Sequence, residues 1–123
     1  MKKEISIDEC ALAKGPYVQG LIYNGMIYAS QIGIDKNGKL VEGGIKQQTK
    51  QIMDNFKLIL ESQGSSMDKV VQCNIYIVNM EDAQFMNKVY SEYFTKPYPS
   101  RCCVQVAGMS DGALVEMSLV AAL

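Results

Sequence analysis

The spacing of apolar positions changes repeatedly along the chain, and each change marks an element. Tyr17 to Tyr23 and Met26 to Ile32 are β-rich runs separated only by Asn24-Gly25, the pair that type I′ turns favour because both positions need positive φ, so a hairpin is predicted. Asp35-Lys36-Asn37-Gly38 follows as a polar turn, and Gly43-Gly44 leads toward a helix. From Ile45 the apolar residues Ile52, Met53, Phe56, Ile59 and Leu60 take helical spacing, and Gly64 stands where a C-terminal cap belongs, predicting a helix from Ile45 to Gln63. Val70 to Val78 returns to a period of two, with Val71, Cys73, Ile75 and Ile77 on one face and Gln72, Asn74 and Tyr76 on the other. Asp82 to Phe94 is helical again through Met86, Val89, Tyr90, Tyr93 and Phe94, and Pro97 and Pro99 end it near Thr95. Arg101 to Ala107 and Ala113 to Ala122 are two further strands around the turn Gly108 to Gly112.

The order β-β-α-β-α-β-β predicts an α+β fold, a mixed sheet carrying both helices on one face. Tyr76, Val78, Val104 and Val106 leave the other face partly apolar, which predicts self-association through the sheet. With no repeat, linker or low-complexity stretch, residues 1–123 read as a single domain.

Composition narrows the function classes. A chain of 123 residues with 48% hydrophobic and 20% charged residues can bury a core without disulfides or metal. Lys+Arg 12 against Asp+Glu 13 gives a net charge of -1, which offers no footprint for phosphate backbones, so nucleic acid is not the expected partner. No apolar run approaches the ~18 residues of a membrane helix, and a soluble protein is expected. The histidine count is zero, which removes the commonest general base and the commonest zinc ligand. Cys10, Cys73, Cys102 and Cys103 form no C-x-x-C pair and nothing at the N-terminus resembles a signal peptide, so reduced thiols in a cytoplasm are expected.

Arg101 and Cys103, two apart on a strand, project from one face, while Cys102 and Val104 project from the other. An arginine opening an apolar strand needs an anion, because an unpaired charge is costly to bury. Glu116 is the only charge in the final strand. Taken alone, the residues favour an ion pair between Arg101 and Glu116. The other reading is a carboxylate pocket, in which the planar guanidinium keeps a fork free for a small organic acid beside a carboxylate base. Cys103 beside a cation has the surroundings of a nucleophile, but a strand cysteine is more simply a small lining residue. Gly15-Pro16-Tyr17 reads as a rigid turn whose phenol is able to orient a water or a substrate oxygen, Asn87 as a polar helix position, and the eight methionines as adaptable core filling.

In combination, Gly-Pro-Tyr17-Val-Gln-Gly, Ala-Ser-Gln31-Ile, Gly44-Ile-Lys-Gln-Gln48-Thr with Asn55, and Arg101-Cys-Cys103-Val-Gln-Val resemble the Rid family, the YjgF-type reactive intermediate/imine deaminases. The resemblance runs from Ala13 to Ala121. It implies a chorismate-mutase-like α+β protomer, a homotrimer whose sheets form an inner barrel, and ligand clefts between neighbouring subunits. It also implies hydrolysis of 2-aminoacrylate and related enamine or imine acids, made by pyridoxal-phosphate enzymes, to 2-keto acids and ammonia, with no cofactor and no metal. Carried over residue by residue, Arg101 matches the clamp on the substrate carboxylate and Cys103 the position lining the site beside it. Glu116 matches the carboxylate that holds or activates water, Tyr17 the tyrosine brought to the cleft, and Asn87 a polar residue near it.

The chain departs from the family pattern at three places. Ala29-Ser30-Gln31 stands for Ser-Gly-Gln, so Ser30 adds a side chain where backbone meets ligand. Met109-Ser110 replaces Leu-Pro, and Ser118 replaces a frequent second glutamate. The competing functions are a non-catalytic protein binding or sensing small carboxylates, a ribonuclease, against which the missing histidine and the charge balance argue, and a redox-linked chaperone.

Overall fold

The Asn24-Gly25 turn has φ of 51° and 75°, and it joins β2 (Gly20–Tyr23) to β3 (Met26–Ile32) with Tyr23 opposite Met26. Both values lie in the left-handed region that a type I′ turn requires, so the predicted hairpin forms. Tyr17 to Gln19 lie outside it, in a loop. The computed structural model describes all 123 residues, Met1 to Leu123. A strand the apolar pattern did not announce, β1 (Lys3–Ile5), pairs antiparallel with β2. It is three residues long and only Ile5 is buried, too short for alternation to show.

Helix α1 spans Ile45–Glu61 and buries Ile52, Met53, Phe56, Ile59 and Leu60. Its end is a Schellman motif: Ser65 N–H donates to the Leu60 carbonyl at 3.0 Å and Gly64 N–H to that of Glu61 at 3.1 Å, with Gly64 at φ 75°. The chain continues through β4 (Val70–Ile77), α2 (Ala83–Ser91), β5 (Ser100–Gln105) and β6 (Val115–Ala122). Helix α2 is shorter than its apolar stripe. Beyond Ser91 the backbone tightens into turns, with Tyr93 N–H bonded to the Tyr90 carbonyl at 3.2 Å, and Tyr93 and Phe94 still pack on the core.

The six strands form one mixed sheet in the order β1-β2-β3-β6-β4-β5, parallel only between β4 and β5. Both helices cover the same face, where the α1 stripe, Met86 and Tyr90 pack against Ile27, Cys73, Ile75, Ile77, Val115, Met117 and Leu119. The fold is therefore the α+β class that the element order predicted.

One position on the expected dry face of β4 is wet. Val70 faces Ala121 and Gln72 faces Val120, so Val71 is the extra residue of a bulge; it is 50% exposed while Val70 is buried. A single inserted residue reverses the parity of what precedes it. From Cys73 onward the predicted alternation holds.

The uncovered face carries Tyr28, Ser30 and Ile32 from β3, Glu116, Ser118 and Val120 from β6, Asn74 and Tyr76 from β4, and Cys102 and Val104 from β5. Tyr28 and Val104 are 42% and 44% exposed, so the predicted apolar second face exists and nothing within the chain covers it.

Candidate functional site

The motif glutamines and asparagine turn out to hold the backbone. Gln19 is buried; its Oε1 accepts from Ile7 N–H at 2.7 Å, and its Nε2 donates to the carbonyls of Ala11 at 2.8 Å, Ile7 at 3.0 Å and Cys10 at 3.3 Å. Asn55 donates from α1 to Gln31 Oε1 and to the Ile34 carbonyl, both at 2.9 Å. Gln48 Oε1 accepts from Leu114 N–H at 2.8 Å, and Gly33 lets α1 come close, since a Cβ there would lie 2.7 Å from Gln48 Cα. These amides satisfy loop groups that would otherwise be buried without partners. They fix the segments that deliver Tyr17, Ser30 and Glu116.

Those three residues line one cavity of about 750 Å³ at the end of the uncovered face. Tyr17 is 64% exposed, its ring lying over Gly15, where a Cβ would come within 2.8 Å. Leu12, Tyr28 and Val120 supply an apolar wall, and Asp111 and Ser118 add polar groups. Glu116 is half-buried with no basic partner, and burial raises its pKa above the ordinary carboxylate value. Ser30 stands directly opposite Ser118 across the β3–β6 ladder, and Ser118 Oγ accepts from Asn74 Nδ2 at 3.4 Å. Two of the departures from the family pattern are thus neighbours in space.

Arg101, Cys103 and Asn87 gather elsewhere. In the parallel register Arg101 aligns with Cys73 and Cys103 with Ile75, which places both on the helix-covered face. The exposed guanidinium reaches α2, where Nη1 donates to Asn87 Oδ1 at 2.6 Å and Cζ lies 5.0 Å from the centre of the Tyr90 ring. Cys103 is half-buried against the core. Burial pushes its thiol pKa up more than the Arg101 charge lowers it, so the thiol is protonated at neutral pH and the lining role suits it better than that of a nucleophile.

The expected ion pair between Arg101 and Glu116 does not form. The two side chains lie on opposite faces of the sheet, because Cys73, aligned with Arg101, is buried under the helices while Tyr76, aligned with Glu116, faces away from them. The chain's one ion pair is Lys50–Asp54 at 2.7 Å on the surface of α1. Spacing within a strand fixes parity inside that strand only; the relation between two strands is set by register, which spacing does not report. In the sequence Tyr90 belongs to the apolar stripe of α2. Its contact with Arg101 is foreshadowed by the Asn87-x-x-Tyr90 spacing, which sets both residues on one helix face.

Comparison with known proteins bears on the family and the fold. A profile of the family described as Endoribonuclease L-PSP matches residues 8–123. A RutC family protein of Pyrococcus abyssi is 40% identical over 124 residues, covering 98% of both chains. A 2-iminobutanoate/2-iminopropanoate deaminase of Bos taurus is 34% identical over 123 residues, covering 98% of this chain and 90% of the relative. The crystal structure of the Rid-family protein YyfA from Yersinia pestis superposes with a TM-score of 0.95 at 36% identity, over the whole of both chains. With its sequence matched from residue 8 onward and its fold matched throughout, this chain belongs to the Rid (YjgF) family.

Proposed function

We propose that this protein hydrolyses short-lived imine acids, 2-aminoacrylate after tautomerisation and its homologues, to 2-keto acids and ammonium, in a homotrimer whose sites lie between neighbouring copies. The observation that carries this reading is the division of charge. The helix-covered face offers a cation with unused donors, and the opposite face, partly apolar and uncovered, carries a cleft with a lone carboxylate. A second copy seated on that face would bring Glu116, Tyr17 and Ser30 of one chain to Arg101, Asn87 and Cys103 of the next. An isologous dimer or a closed ring satisfies such a need, and the family resemblance favours three copies.

Arg101 has five N–H donors and Asn87 takes one, so a bidentate pair remains for a carboxylate. Glu116 accepts a proton from water as that water adds to the imine carbon. Glu116 then returns that proton to the carbinolamine nitrogen, which leaves as ammonia while the hydroxyl gives up its own proton to it, so that C=NH₂⁺ plus H₂O becomes C=O plus NH₄⁺. A carboxyl whose pKa is raised by burial is the better proton acceptor, and holding water and iminium together supplies the rest. Tyr17 orients the water or the substrate oxygen, and no cofactor or metal takes part. The relative named as an imine deaminase supports the same reaction class. The cysteines, all free, suit a cytoplasmic location, which we include in the proposal.

Two experiments test this. In a coupled assay, a serine or threonine dehydratase releases the imine and the protein is expected to speed keto acid release and reduce trapping by semicarbazide; unchanged rates at high protein would favour a carboxylate-binding protein without turnover. Then Arg101→Ala and Glu116→Gln, each inactive alone, are refolded together. If every site takes Arg101 from one copy and Glu116 from the next, random mixing leaves about one site in four intact, and about a quarter of wild-type activity returns. Failure to recover any activity would refute a site shared between copies.

A further inference from the structure

Tyr90 is only 4% exposed, its ring in tilted contact with Phe94 at 4.8 Å between centroids. Arg101 lies over the Tyr90 ring at 5.0 Å, and Asn87, three residues earlier on α2, accepts from its Nη1 at 2.6 Å. The ring constrains the plane of the guanidinium and the amide constrains its rotation in that plane, so α2 alone fixes the direction of the free donors. The Tyr90 hydroxyl sits by the buried Cys73 thiol, a weak hydrogen-bonding partner.

We propose that Tyr90 is a positioning residue, an aromatic shelf that holds the Arg101 fork in the orientation a ligand carboxylate needs. This rests on the carboxylate-clamp reading of Arg101 proposed above. The shelf requires the ring face and makes no use of the hydroxyl. Tyr90→Phe therefore keeps it, whereas Tyr90→Leu keeps an apolar plug beneath the arginine and loses the π face.

The test is calorimetric titration with 2-ketobutyrate of the wild type, Tyr90→Phe, Tyr90→Leu and Arg101→Ala, each with its Tm measured. Met86→Leu, a buried change on the same helix, serves as the control for stability alone. Tyr90→Phe is expected to bind as the wild type does, and Tyr90→Leu to bind about two- to fivefold more weakly, the range a partly exposed cation–π contact supports. Met86→Leu is expected to change Tm without changing Kd. The upfield ring-current shift of the Arg101 side-chain protons should persist in Tyr90→Phe and vanish in Tyr90→Leu. Wild-type affinity in a folded Tyr90→Leu that has lost the shift would overturn the positioning role while leaving the clamp intact. Equal weakening by Tyr90→Phe would also overturn it, by assigning the effect to the hydroxyl. Unchanged binding by Arg101→Ala would overturn the clamp reading and the shelf with it.

Discussion

Replacing Gln19 by leucine removes the most heavily used side chain in the protein while nearly conserving its volume. The amide holds the chain entering the cleft: one acceptor takes Ile7 N–H, and two N–H groups serve the carbonyls of Ile7, Cys10 and Ala11. Each neutral hydrogen bond contributes about 1 kcal/mol net, and each buried backbone group left without a partner costs about 1–3 kcal/mol. The segment is partly buried, so some of these groups will find water, and the loss should be near 3 kcal/mol. For a chain of this length that is roughly 10–15 °C in Tm, read at fixed protein concentration because assembly contributes. Gln19→Glu is the sharper variant. It keeps an acceptor for Ile7 N–H but turns a carboxylate oxygen toward three carbonyls, so its folded pKa must rise above the unfolded value of about 4.3. A raised carboxylate pKa means that stability is present below the unfolded pKa and lost as pH climbs through the folded one. Gln19→Glu should thus melt below Gln19→Leu at pH 7 and recover part of the gap at pH 5, while the Gln19→Leu loss stays constant. A Tm shift under about 3 °C for Gln19→Leu, or no pH dependence for Gln19→Glu, would refute the account of the amide as a clasp.

Arg101→Ala loses one hydrogen bond and one ring contact at an exposed site, so Tm should move by only a few degrees, while 2-ketobutyrate affinity should fall on the order of 30-fold or more; Arg101→Lys, lacking the fork, should resemble it. A large Tm loss with binding intact would make Arg101 structural. Ser30→Gly should raise activity on imines with longer side chains relative to short ones, because it clears volume beside Ser118 in the cleft; an unchanged ratio in the trapping assay would place Ser30 away from the ligand. Burial pushes the Cys10 and Cys73 thiols up to about 11, so each holds its proton longer folded than unfolded, and stability should fall as pH rises from 9 to 11, by up to about 2–3 kcal/mol per thiol. Urea midpoints across that range should fall less steeply for Cys73→Ala, and parallel curves would contradict the assignment.

What the sequence disclosed was what repeats locally. Asn24-Gly25 named its turn, the α1 stripe named its buried face, Gly64 named its cap, and the parity of Arg101 and Cys103 held in the sheet. Each of these depends on residues a few positions apart. The misses all involve relations that such spacing cannot encode. Strand β1 needed β2 as a partner to exist as a strand. The Val71 bulge is silent because Val70 and Val71 are chemically alike, and only the pairing with β6 shows which one is extra. The Arg101–Glu116 pair fails on register between strands, and the motif amides clasp groups far along the chain, which local spacing does not encode.

The separation of Arg101 from Glu116 also bears on how such a site keeps its charges usable. Had the two met within one chain, each would have neutralised the other, and a substrate would have had to break a formed ion pair before binding. Opposite faces of a β-sheet prevent that contact whatever the rotamers, since the packed sheet lies between them. Arg101 can keep its fork because Asn87 takes a single donor and Tyr90 takes none. Glu116 can keep its lone pairs because no cation in its own chain reaches it. On the proposed reading a second copy sets the two charges at opposite ends of a closed cleft, so that an imine acid held by its carboxylate at Arg101 would present its imine carbon to the water at Glu116. Under that proposal a chain without histidine would polarise its substrate through two fixed charges on different copies, strengthened by the desolvation that assembly would bring.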